Sequence, residues 1–105
     1  MGDDELISWD RVNELRDEVG AEDFDEIRDL FLAEVDDTLH RLADARPSAN
    51  DFHALRGSAL NLGMAALARH CRAAEHALKE GGDAPDMAAI AEVFRQSRAR
   101  LADGP

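Results

Sequence analysis

Apolar residues return every three or four positions along almost the whole of this chain, and no segment alternates apolar with polar as a half-buried strand does. That periodicity dictates an all-α fold. Ser8 can cap a short helix through about Val19, with Val12, Leu15 and Val19 on one face and Gly20 ending it. A second helix is expected from about Asp23 to Ala45, striped by Phe24, Ile27, Phe31, Val35, Thr38 and Leu42, and stopped by the run Arg46, Pro47, Ser48. Ser48 or Asn50 starts a third that ends at Gly63. The fourth runs from about Met64 to Glu80 and buries Leu67, Cys71, Ala74 and Leu78 until "GGDAPD" breaks it, and the fifth buries Met87, Ile90, Phe94 and Leu101 with Ser97 on the same stripe.

Each stripe is apolar on one side only, and the connections are short enough to make successive helices antiparallel neighbours. The expected architecture is an antiparallel four-helix bundle with the short first helix laid across one end. A chain of 105 residues closes a single core, so residues 1–105 form one domain, with its ordered part from about 7 to 102 and loose ends at 1–5 and 103–105.

Charge narrows the function. Twelve Lys and Arg stand against 23 Asp and Glu, a formal net charge of −11, which repels the phosphate backbone of nucleic acid and anionic membrane. The lone Cys71 allows no intrachain disulfide, and "MGDDELISWD" lacks the basic and apolar regions of a signal peptide. A soluble cytoplasmic protein is expected, without a membrane span.

The third helix carries the chemistry, in the stretch "DFHALRGSALNLG". At about 100° per residue, Phe52, Leu55, Ala59 and Leu62 fall within about 80° of one another and form its buried face, while His53 lies about 140° from the centre of that face. His53 is therefore exposed, with Arg56 and Gly57 one turn on and Leu60 and Asn61 two turns on along the same side. A glycine inside a helix costs about 1 kcal/mol relative to alanine. Here it leaves room for a large reacting group to approach the ring, with Arg56 supplying fixed positive charge. Imidazole, with an ordinary pKa near 6.5, presents a nucleophilic nitrogen at neutral pH and forms covalent intermediates. Phosphoryl transfer to such a ring needs mainly positioning and charge stabilisation.

"HALRGSALNLG" resembles the signature of histidine-containing phosphotransfer (Hpt) domains of bacterial two-component phosphorelays. His53, Leu55, Arg56, Gly57, Ser58, Ala59, Leu62 and Gly63 match position by position. The flanking helices "FDEIRDLFLAEVDDTLHRLADA" and "LARHCRAAEHALKEG" look like their counterparts in that family. The resemblance implies that His53 accepts a phosphoryl group from the aspartyl phosphate of one receiver domain and passes it to another. It implies a stand-alone phosphocarrier that is not an enzyme, has no cofactor of its own, and relies on magnesium held by the partner receiver. The donor would be the receiver of a hybrid histidine kinase and the acceptor that of a response regulator. Arg56 stands where lysine is commoner and Leu60 where smaller residues are frequent. Arg56 would stabilise the phosphoryl oxygens, Gly57 would give access to the ring, and attack would come from the outward nitrogen, Nε2. Ser58, at the border of the buried face, is expected to bond a helix carbonyl in a supporting role.

On the fourth helix Arg69, Arg72, His76 and Lys79 recur opposite the apolar stripe, and antiparallel packing brings residues 73–76 level with His53. Arg72, His76 and Lys79, together with Leu60 and Asn61, are the expected contacts for an acidic receiver. The bland reading of that stripe is a solvated face. His70 and Cys71, with Glu75 and His76, do not read as a metal site, because Cys71 is on the buried stripe and His70 about 100° away; His40 suits the dipole at the end of the second helix, and Trp9 reads as packing. No phosphate-binding loop is present, so the chain is not expected to phosphorylate itself. Short helices forming a complete bundle favour a monomer. Two other readings stay open: an adaptor that docks receivers without carrying phosphate, and a phosphatase presenting Asn61, the only amide on the His53 face, to a phosphorylated receiver.

Overall fold

In the computed structural model, which describes residues 5–83 and 85–105, five helices account for the architecture: α1 (Trp9–Val19), α2 (Ala21–Ala43), α3 (Ala49–Asn61), α4 (Ala65–Lys79) and α5 (Met87–Asp103). The four longer helices form a ring in which α2 meets α3, α3 meets α4, α4 meets α5 and α5 returns to α2. α1 lies against α2 and α3 at one end of this bundle. The expected four-helix bundle with a short N-terminal helix is therefore what the chain adopts. None of its described helices is long and apolar enough to cross a membrane.

Local chemistry sets the helix ends. Ser8 caps α1 by accepting a hydrogen bond from the Arg11 amide, and Gly20, at φ 89°, both ends α1 and opens α2. Because the Gly20 carbonyl already accepts from the amides of Asp23 and Phe24, α2 begins at Ala21, two residues before the expected start. It also stops at Ala43 rather than Ala45, so that the helix has ended before Arg46, where the following Pro47 disfavours helical backbone. Of the two candidate caps for α3, Ser48 is the one used: its hydroxyl accepts from the Asp51 amide at 3.2 Å while the Asp51 carboxylate accepts from the Ser48 amide at 2.8 Å, closing a capping box.

The buried face of α3 is Phe52, Leu55 and Ala59, continued by Leu62 at its C-cap. These meet Leu67, Cys71 and Ala74 of α4, Ile90, Phe94 and Leu101 of α5, and Phe24, Val35, Leu39 and Leu42 of α2 in one core. Leu39 is buried where the stripe expected the half-buried Thr38, and Leu78, Met87 and Val19 reach the core only in part. Trp9 packs against the core, with the Arg100 guanidinium 5.5 Å from its ring.

The turn from α3 to α4 is the most constrained corner. Gly63 sits at φ 76°, its amide donates to the Leu60 carbonyl and the next amide, Met64, donates to Ala59, the hydrogen-bond pair of a Schellman motif. Residues 5–8 strap across it: the Ser8 amide donates to the Gly63 carbonyl at 2.7 Å, the Ala66 amide to Leu6, and Arg69 Nη2 to the Glu5 carbonyl, while Ile7 is buried beneath. The looseness expected of the ends applies neither to Glu5 nor to Asp103, which is still helical, and for residues 1–4 it lies outside the described residues.

Two stability changes follow. A Cβ at position 63 would stand 2.8 Å from the Ser8 carbonyl oxygen and 2.9 Å from Val12 Cγ2, in a conformation L-residues avoid, so Gly63→Ala should cost more than about 2 kcal/mol in denaturant unfolding. Ser97 has a fully buried hydroxyl with no hydrogen-bond partner among the described residues, and Ser97→Ala should raise stability by about 1 kcal/mol; an unchanged or lower midpoint would show that the hydroxyl is satisfied in solution.

Candidate functional site

On α3 the outward face carries His53, whose side chain is 63% exposed, and Arg56 one turn on. Opposite them α4 presents Glu75, only 7% exposed and the one charged residue buried among the described residues. A buried carboxylate needs partners, and this one has three. Lys79 Nζ lies 3.0 Å and His53 Nδ1 3.2 Å from the same oxygen, Oε2, while Arg56 Nη2 is 3.8 Å from Oε1. The hydrogen bond from Lys79, and after it the charges of Lys79, His53 and Arg56, hold the Glu75 carboxyl below the usual carboxylate range against the opposing effect of desolvation. Glu75 is thus ionised at neutral pH. Its contribution to stability is present above the ordinary carboxylate pKa and is lost as pH falls through the lowered folded value.

An ionised carboxylate only accepts, so the His53–Glu75 bond requires the ring proton on Nδ1. Arg56 Nη2 also stands 3.3 Å from Nδ1, but a nitrogen that donates to Glu75 has no lone pair to offer a guanidinium. The charge-assisted bond prevails. The other ring nitrogen, Nε2, then carries the lone pair. Beside the ring, Gly57 faces open space: a Cβ built there meets nothing within 4 Å. The missing side chain serves no contact inside the protein.

The remaining expected residues fall in two places. Arg72, His76 and Lys79 join Arg56 and Glu75 around a shallow groove of about 240 Å³ beside His53. Arg72 has no acidic partner among the described residues, whereas His76 Nε2 is 3.4 Å from Glu80. Leu60, 52% exposed, and Asn61 line a separate, mostly apolar recess with Ser8, Arg11, Gly63 and Ala65, where Arg11 Nε donates to the Asn61 carbonyl. Arg69, the first member of the basic stripe, is turned away to the N-terminal strap. Ser58 differs from expectation as well. Its hydroxyl has no hydrogen-bond partner among the described residues and faces the groove between α2 and α3 with Glu34, Thr38 and Arg41, where water can satisfy it.

Residues 70–76 divide between two environments. Cys71 and Glu75 point inward, while His70 and His76 are exposed. Burial pushes the Cys71 thiol up to about 12, with the charge of Arg56 pulling the other way, so Cys71 acts as a small apolar side chain. In the last turn of α2, His40 Nδ1 bonds the Asp36 carbonyl at 2.8 Å, and that bond, with the Asp36 charge, raises its pKa. The residue that sequence reasoning missed is Glu75. A signal existed: it lies at the edge of the apolar stripe of α4, at the level computed for His53, with Lys79 one turn on.

No curated protein and no solved structure matches the chain. A family model does, that of the Hpt domain, over residues 8–104. With the exposed imidazole, the open glycine and the helical bundle all falling inside that span, the chain belongs to the Hpt domain family, the histidine phosphotransfer modules of phosphorelays.

Proposed function

We propose that His53 is the phosphoacceptor of a multistep phosphorelay, taking its phosphoryl group from the aspartyl phosphate of one receiver domain and passing it to another. The observation that carries this reading is the imidazole, 63% exposed, whose Nδ1 is bound to a buried carboxylate, so that the lone pair falls to Nε2, one turn from the open Gly57. Nε2 attacks phosphorus, the N–P bond forms, and the bond from phosphorus to the aspartyl oxygen breaks with its electrons going to the receiver's carboxylate. Any magnesium at that centre belongs to the receiver. As charge on the phosphoryl oxygens moves toward α3, Arg56 is close enough to follow it, its Nη2 standing 3.3 Å from His53 Nδ1 and 3.8 Å from Glu75 Oε1.

Docking uses the two neighbouring surfaces. Arg72 and Lys79 on the rim of the groove suit the acidic surroundings of a receiver's aspartate, and Leu60 offers an apolar contact two turns from His53 on the same helix. The chain acts as a monomeric cytoplasmic carrier rather than an enzyme, since the receivers it meets supply the chemistry at the aspartate.

Incubation with a panel of phosphorylated receivers tests the assignment. Wild type should acquire an acid-labile, base-stable phosphate and His53→Gln none; equal labelling of both proteins would place the acceptor elsewhere. The role of Gly57 separates stability from access. Gly57→Ala should stabilise the fold by about 0.5–1 kcal/mol, because helix propensity improves and nothing obstructs the methyl group. Gly57→Leu should remain folded yet accept phosphate at least about tenfold more slowly, and an unchanged rate would show that the gap is not an approach path.

A further inference from the structure

The buried carboxylate has a consequence for the phosphorylated state. We propose that Glu75 keeps a proton on Nδ1 of the phosphorylated His53 ring, so that the carrier holds its phosphoryl group in the form that is readily given away. This rests on the reading of His53 as the phosphoacceptor.

The proton inventory carries the argument. Before transfer, Nδ1 bears the hydrogen donated to Glu75 and Nε2 bears the lone pair. Attack on phosphorus forms the N–P bond, releases the receiver's carboxylate and leaves a phosphoryl imidazolium, positive on the ring and still protonated at Nδ1. Two fates are open. If the Nδ1 proton escapes to water, the ring becomes neutral, and later donation must expel an imidazolate, a poor leaving group. If the proton stays, an acceptor carboxylate attacks phosphorus, the N–P electrons return to Nε2, and neutral imidazole leaves with its hydrogen on Nδ1. The second route restores the starting state without any external acid.

What faces the ring decides between them. From α4 the nearest group is Glu75 Oε2, with Lys79 on the same oxygen and Arg72 and His76 on the rim of the groove. From α3 itself Arg56 stands 3.3 Å from Nδ1. α2 places Glu34 and Arg41 along the other flank of α3, and Arg11 of α1 is engaged with the Asn61 carbonyl. Among the described residues Glu75 is thus the only anion bonded to the ring, opposed by Arg56 and Lys79. It prevails because it accepts the Nδ1–H directly and is shielded from water, which weakens screening, whereas the side chain of Lys79 is 62% exposed. Its ionisation at neutral pH is consistent with the lowered carboxyl. A buried charge of this kind is costly to keep for stability alone, since an apolar or amide residue would pack there with less desolvation.

The test compares wild type, Glu75→Gln and Lys79→Met, each phosphorylated with phosphoramidate and checked for folding by circular dichroism. Donation to an unphosphorylated receiver and spontaneous hydrolysis are followed from about pH 5 to about pH 10. In wild type both rates should persist to higher pH than in Glu75→Gln, the midpoints differing by about one unit, so that on the alkaline side the variant donates about tenfold more slowly and keeps its phosphate longer. Lys79→Met, which frees Glu75 for the ring, should move the midpoint upward. A carboxylate that merely supported the fold would lower the phosphorylated fraction without moving either midpoint. Coincident midpoints in wild type and Glu75→Gln would overturn the proposal. Should Glu75→Gln fail to fold, an unmoved or lowered midpoint in Lys79→Met would do the same. Failure of wild-type His53 to take phosphate at all would remove the parent reading and this inference with it, an outcome distinct from phosphorylation with unshifted profiles.

Discussion

One buried carboxylate organises the functional face of this bundle. Glu75 sits in the seam between α3 and α4, and its two oxygens meet a lysine on its own helix and a histidine and an arginine on the neighbouring one. In water each of these contacts would be worth little, because exposed ion pairs are screened and ordering the side chains costs entropy. In the seam the carboxylate, 7% exposed, has lost most of its contact with water, so its partners matter more. That requirement sets the orientation of the His53 ring. A surface histidine with free rotation would present either nitrogen to a partner; this one presents Nε2 because Nδ1 is engaged, much as the orienting carboxylate of a catalytic triad selects a tautomer.

The interaction works only if α3 and α4 keep a fixed register, and the corner at Gly63 supplies it. The Schellman pair ends α3 at a defined residue, and the N-terminal strap covers the turn with backbone hydrogen bonds from Ser8 and Ala66. Ten residues before Gly63 and twelve after it, His53 and Glu75 meet across the seam. A slip of one residue at the turn would rotate Glu75 by about 100° and carry it away from the ring. The strap is thus part of the site although it lies at the other end of the helix pair. It also explains why Arg69 does not contribute to the basic groove: its guanidinium is engaged with Glu5.

Much of this is legible from the chain alone, for identifiable reasons. Helix ends announced by local chemistry, such as Ser8 and Gly63, can be read because the groups that close them lie within five residues of one another, whereas at the start of α3 the sequence offers both Ser48 and Asn50. The start of α2 is less legible because Gly20 serves two helices at once, and only the folded backbone shows which amides its carbonyl accepts. His53, Arg56 and Gly57 are readable as a group since one helix face holds them all. Glu75 is not, because its role depends on a partner 22 residues away on another helix. The register estimate reaches residues 73–76, but a carboxylate within a basic stripe reads as ordinary surface until its burial is known. Ser58 fails for the opposite reason: the groove between α2 and α3 leaves it accessible, so a helix carbonyl is not its obligatory partner.

The central claim is that Glu75 fixes the ring with Nδ1 protonated and Nε2 reactive. Nitrogen-15 NMR of the histidine rings in the phosphorylated protein, correlated with phosphorus-31, identifies directly which nitrogen bears the phosphoryl group. The account predicts phosphorus on Nε2 of His53 with a hydrogen retained on Nδ1. Phosphorus on Nδ1 would contradict it, because that nitrogen could not then be bound to Glu75.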